Sequence, residues 1–184
     1  QISPTLDLIL VPAKKMEMTQ SHTPAIELEL FNNRFKSIAE QMGAQLQFSA
    51  FSVNVKERLD FSCALLDHEA RLLVNAPHIP VHLGSLGLAA RLILKDHPLK
   101  EGDIILCNHP QYGGSHLPDL TLLKAVFDRQ KKLIGYVINR AHHAEIGGMT
   151  PGSMPAFATN LEQEGVIFRP VYIYKRGKPQ WKRI

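Results

Sequence analysis

Histidines and acids gather in two glycine- and proline-rich stretches. The first, Asn108-His-Pro-Gln-Tyr-Gly-Gly-Ser-His-Leu-Pro118, supplies His109, Ser115 and His116 and runs straight into Asp119. The second, Gly147 to Pro155, follows closely on His142, His143 and Glu145. Loops carried by a rigid scaffold are common places for chemistry. Imidazole nitrogens beside a carboxylate suit a first-row divalent ion, and Zn, Mn and Fe are all compatible with such donors. An ion held there lowers the pKa of a bound water or polarises a carbonyl oxygen.

Topology, more than spacing, joins the two stretches. Leu120–Phe127 and Leu133–Asn139 read as two strands turning around Asp128-Arg-Gln-Lys-Lys132. An antiparallel hairpin would carry His116 and Asp119 to the same end as His142 and His143. Side chains alternate faces along a strand, so one of the adjacent histidines is a ligand and the other a supporting or substrate-facing group. His143 is the expected ligand. A plainer reading, in which these histidines only hydrogen-bond within their loops, stays open on spacing alone.

Other residues carry weaker signals. His78 and His82 flank Ile-Pro-Val and either line the same cleft or cap the helix that follows. Lys56-Glu-Arg-Leu-Asp60 holds four charges in five residues; a solvated surface is usual for such a run, yet Asp60 abuts an apolar strand and can face inward. His22, His68 and His97 fall in linker or turn contexts and read as surface residues. Gly113-Gly114 and Gly147-Gly148 could present N–H groups to an anion, but neither fits a P-loop or dinucleotide fingerprint. The candidate ligands are His116, Asp119, His142 and His143; the candidate catalytic groups are Asp60, His82 and His109.

The elements that must position these groups are legible in outline. Thr23-Pro24 reads as an N-cap followed by proline at the first helical position. Leu28, Phe31, Phe35, Ile38, Met42 and Leu46 then recur at helical spacing, interrupted by Gly43. Phe61–Leu66 and Arg71–Val74 form an expected hairpin, and Asn75–Pro80 breaks regular structure because each proline biases its neighbour toward extended backbone. A second helix is expected from about His82 to Leu94, a strand at Ile104–Cys107 and another at Val166–Tyr174. Leu6–Val11 could be a short strand, with a linker up to residue 22. The class is α+β, with a mixed or antiparallel sheet.

Composition narrows the function. The 184 residues are 45% hydrophobic and 21% charged, ordinary values for a globular chain able to bury a core. The net charge of +4 sits largely near the two ends, with no basic stripe interleaved with aromatics, which argues against nucleic-acid binding. The apolar runs fall short of a membrane span. Cys63 and Cys107 lie in apolar stretches and read as buried free thiols, which suits a reducing compartment and makes the cytoplasm the expected location.

Several strings resemble the hydantoinase B/oxoprolinase family. They are Arg34-Phe-Lys-Ser-Ile-Ala-Glu-Gln-Met-Gly43, Asn54-Val-Lys-Glu-Arg-Leu-Asp-Phe-Ser-Cys-Ala-Leu65 and Asn75-Ala-Pro-His-Ile-Pro-Val-His-Leu-Gly84. Asn108-His-Pro, Gly113-Gly-Ser-His-Leu-Pro-Asp-Leu-Thr121, His142-His-Ala-Glu-Ile-Gly-Gly148 and Thr150-Pro-Gly-Ser-Met-Pro155 follow in order. His109, where other members tend to have Asp, is similar to the 5-oxoprolinase branch of the family.

The resemblance implies ATP-dependent opening of the cyclic amide 5-oxo-L-proline to L-glutamate. A hydantoinase A-like half, in the same or a partner chain, would bind MgATP and phosphorylate the lactam oxygen; the B-like half would deliver water. It also implies a metal held by His116, Asp119 and His142 or His143. Residues 1–22 would then be a linker or the end of the A-like half, and residues 23–184 the start of a truncated B-like domain. Such a piece is expected to be inactive alone and to expose an apolar face, with the full-length protein a homo-oligomer. An ATP-dependent hydantoinase, an acetone or acetophenone carboxylase-type subunit and a decayed copy acting only as a folded module are the alternatives. Two departures are visible: Phe48 stands where the family usually has Arg, and Glu145 where it usually has Asp.

Overall fold

The computed structural model describes residues 24–76, 78–79 and 82–183. The expected Leu6–Val11 strand, the linker and the Thr23 cap lie outside the described residues. Helix α1 (Pro24–Ser49) begins at its proline and is longer than the apolar spacing indicates. A short α2 (Val53–Lys56) follows, an element the charge run concealed. Then come β1 (Phe61–Asp67), β2 (Leu72–Asn75), α3 (Leu83–Asp96), β3 (Ile104–Cys107), β4 (Asp119–Phe127), β5 (Leu133–His142), β6 (Val171–Lys175) and β7 (Lys178–Pro179).

The strands form a single antiparallel sheet in the order β2-β1-β5-β4-β3-β6-β7. Helices cover both faces of its centre, which is why β1 is buried along nearly its whole length. Its alternate side chains divide between two cores. Ala64 and Leu66 meet Leu86, Ala90 and Ile93 of α3, together with Ile105, Leu123 and Ile138. Phe61 and Cys63 face the other way, against Ala39 of α1 and Val55 of α2.

Only the second half of α1 docks. Ala39 and Gly43 are its buried positions, with Met42 and Leu46 packed beside them. Small residues let the helix approach closely; a Cβ on Gly43 would run into the His78 imidazole, which stands edge-on against the Phe61 ring at 4.5 Å between centroids. The expected continuous core face is therefore corrected: Leu28 is 72% exposed and Phe31 51%.

The last expected strand also shifts. Residues 166–170 are diverted from the sheet by Asn108, whose side-chain amide donates to the Val166 carbonyl and accepts from the Phe168 amide. Regular pairing with β3 starts only at Val171.

Phe61 is 1% exposed at the junction of α1, α2 and the sheet. Phe61→Ala is expected to lower unfolding free energy by about 3–5 kcal/mol through lost burial and a residual cavity, measurable as a shift of the urea midpoint. Burial pushes the Cys63 thiol up to about 12, so it should resist alkylation at mildly alkaline pH until the chain is unfolded; mass spectrometry of labelled peptides checks this.

Candidate metal centre

Asp119 opens β4 and His142 closes β5, and the antiparallel register sets them directly opposite each other. The hairpin thus does what the sequence required of it. His116 comes from the turn just before β4 and leans over the pair. Its Nε2 lies 2.8 Å from His142 Nδ1, which lies 3.1 Å from Asp119 Oδ1. The donor atoms of all three residues fall within 4.8 Å of one another, and no other such group occurs among the described residues. Two ring nitrogens this close share at most one proton, so at least one lone pair faces the cluster beside a carboxylate oxygen. That N,N,O set fits a divalent cation. The His116 and His142 side chains keep 29% and 16% of their surface, leaving the cluster open on one side.

Asp119 has no exposed surface. Its second oxygen, Oδ2, accepts from the Ser115 hydroxyl at 3.0 Å and lies 3.3 Å from His82 Nε2 and 3.5 Å from His116 Nδ1. Burial pushes the Asp119 carboxyl up, but the His82 hydrogen bond, the neighbouring imidazole charges and Ser115 outweigh it and hold the group at about 2. For His116 burial is the largest influence and pushes it down; Asp119 pulls it back, and His142 and His82 oppose a further positive charge.

The expected preference for His143 is reversed. Its Nδ1 donates to the Ala141 carbonyl at 3.1 Å and its amide to Pro118, so the ring is turned away from the cluster, as alternation along the strand demands. Asp60 contributes through its backbone, accepting from the His142 amide at 2.9 Å, while its carboxylate adds a weak pull on His116. His82, read as a candidate helix cap or cleft residue, makes no side-chain cap and instead reaches Asp119. His109 stands apart: it caps a 3-10 turn at Pro110–Tyr112 by accepting from the Gln111 amide, and it lies near Cys107, Tyr112, Thr121 and Arg140.

Arg140 is the residue the sequence reading passed over. It is 1% exposed and donates to Thr121 Oγ1 at 2.8 Å, Ser85 Oγ at 2.7 Å and the Gly113 carbonyl at 3.0 Å. A period-two count from His142 would have put it on the ligand face. Glu145 clasps the second loop, accepting from the Ile146, Gly147 and Gly152 amides and from Ser153. Phe48 is 80% exposed, and nothing in the structure explains its departure from Arg.

The profile of the hydantoinase B/oxoprolinase family matches residues 24–184. The chain belongs to that family. It is 46% identical over 164 residues to 5-oxoprolinase 1 of Arabidopsis thaliana, covering 88% of this chain and 13% of that protein. With the 5-oxoprolinase of Saccharomyces cerevisiae it shares 49% identity over 154 residues, 83% of this chain and 12% of that one. The chain therefore spans a small part of the curated relatives it matches. Among solved structures, the ATP-dependent caprolactamase from Pseudomonas jessenii superposes with a TM-score of 0.77 at 27% identity, over 88% of this chain and 28% of that one.

Asp119 is expected to titrate near 2, against about 3.9 for an unperturbed aspartate. A folded value below the unfolded one stabilises the fold fully above about pH 4, and that contribution is lost as pH falls through the folded value. Carboxyl-carbon NMR titration of the protein checks the first statement. A flattened acid limb of the unfolding curve in Asp119→Asn checks the second.

Proposed function

We propose that this chain is the metal-bearing segment of an ATP-dependent hydrolase that opens 5-oxo-L-proline to L-glutamate. The observation that carries the proposal is the convergence of His116, Asp119 and His142 at one end of the β4–β5 hairpin. The names of the relatives add the substrate class, since 5-oxoproline and caprolactam are both cyclic amides.

A five-membered lactam resists water because its amide is resonance-stabilised and the ring recloses easily. Phosphorylation of the lactam oxygen by MgATP, bound in a hydantoinase A-like half outside this segment, turns that oxygen into a leaving group. Water then adds to the activated ring carbon and the ring carbon–nitrogen bond breaks, both protons of that water passing to the nitrogen. The phosphate left on the new acyl group departs as inorganic phosphate when a second water attacks, giving L-glutamate and ADP. His116 Nε2, His142 Nδ1 and Asp119 Oδ1 would hold a divalent ion. Such an ion, when bound, lowers the pKa of water and polarises a carbonyl oxygen.

The chain's own residues divide the remaining tasks. Ser115 and His82 hold the far oxygen of Asp119. Asp60, half-buried and with its backbone carbonyl on the His142 amide, is the carboxylate we assign to accept or return a proton beside the cluster. All three donors are present together, which weighs against a decayed copy.

Metal analysis of the full-length protein tests the reading. Stoichiometric zinc, manganese or iron is expected, with loss of both metal and ATP-dependent glutamate release in a His116→Ala/Asp119→Ala variant. A folded wild-type protein that turns over 5-oxo-L-proline without bound metal would defeat it.

A further inference from the structure

His82 lies outside the three-residue cluster, yet it is 3% exposed and has both ring nitrogens engaged. Its Nε2 lies 3.3 Å from Asp119 Oδ2. Its Nδ1 lies 3.2 Å from Ser62 Oγ. The Ser62 hydroxyl also reaches the Ile79 carbonyl, at 2.8 Å. With Ser62 on Nδ1 and Asp119 on Nε2, the tilt of the imidazole is fixed from both sides. The sequence of contacts runs Ile79 carbonyl, Ser62, His82, Asp119, and it joins the segment leading to α3, strand β1, the residue just before α3, and strand β4.

The two oxygens of Asp119 are used differently. Oδ2 meets Ser115, His82 and, at 3.5 Å, His116. Oδ1 meets only His142 among the contacts described, on the side where the donor atoms converge. A carboxylate free to turn would tilt its plane and move its lone pairs off the cluster. Ser115 sits on the same Gly/Pro loop as His116 itself; His82 is anchored through Ser62 to the interior of the sheet, where Ser62 has no exposed surface.

We propose that His82, keyed by Ser62, is a positioning residue that locks Asp119 with Oδ1 presented to a bound divalent ion. The inference rests on the metal reading given above and assigns to His82 neither ligation nor contact with substrate. Partners that orient a ligand in this way typically contribute about 10–100-fold in metal affinity.

The shapes of the amide side chains separate this role from a generic structural one. Glutamine places its amide nitrogen near Nε2 of histidine and can still donate to Asp119. Asparagine reaches only as far as Nδ1, so it keeps Ser62 and loses Asp119. Dissociation constants for Zn²⁺ and Mn²⁺, measured by chelator competition on the full-length protein, should rise about 10–100-fold in His82→Asn and return most of the way to wild type in His82→Gln. Ser62→Ala, which leaves the imidazole in place but unkeyed, should fall between them. Thermal unfolding of the metal-free proteins reports whether each variant is folded; if the asparagine variant is not, the ordering of wild type, glutamine and Ser62→Ala decides the matter.

Equal affinity in wild type, His82→Asn and Ser62→Ala would overturn the positioning role while leaving the metal site intact. Equal loss in folded His82→Asn and His82→Gln would also overturn it, because the ring itself would then be needed. A folded wild type that binds neither ion would defeat the metal reading and this inference together.

Discussion

The Asp119 carboxylate is removed from solvent, and the large cost of burying a charge is offset only where donors surround it. Those donors come from three separate pieces of chain: the loop carrying Ser115 and His116, the end of β5 with His142, and the residue just before α3, His82. The acid is thus a point at which loop, sheet and helix must agree in position. Its place as the first residue of β4, opposite the last residue of β5, makes the strand register a chemical requirement as well as a packing one. A slip of one residue would turn His143 to the cluster and send His142 to the opposite face.

A second buried charge shares that sheet face. Arg140 is paired in register with Thr121 and with Ser62, and it reaches across to α3 and to the Gly113 carbonyl. Burial pushes its guanidinium down, while Asp119 and Cys107 favour its charge. By holding Gly113, it ties down the base of the loop that delivers Ser115 and His116. The apolar core of Leu86, Ile93, Leu123 and Ile138 lies farther along the same face. Polar and apolar layers are thus stacked along the strands, with the His116–Asp119–His142 cluster at one end.

Much of this was legible in the chain. Period-two alternation and the Asp128–Lys132 turn gave the hairpin, and the hairpin gave the cluster, apart from which of two adjacent histidines faces inward. That choice depends on where β5 begins to pair, a matter of tertiary register that the residues alone leave open. The helix α1 was legible as a helix, but its docking surface was not: the large side chains suggested one face, whereas Ala39 and Gly43 make the contact because small residues permit close approach. Val166–Tyr174 had strand-like residues throughout, yet Asn108 captures the peptide groups at Val166 and Phe168. Arg140 was missed because a cation within an apolar strand has no local partner to announce it; its acceptors lie far away in sequence.

The register also bears on the order of events in folding. β4 and β5 are joined by a short turn, and contacts close in sequence form early because little chain entropy is lost in closing them. The pairing of Phe61 with Ala141 instead spans about half of the described chain, and Ser62 joins the sheet with it. The donor set therefore rests on a local hairpin, whereas the brace behind it rests on a contact between distant parts of the chain.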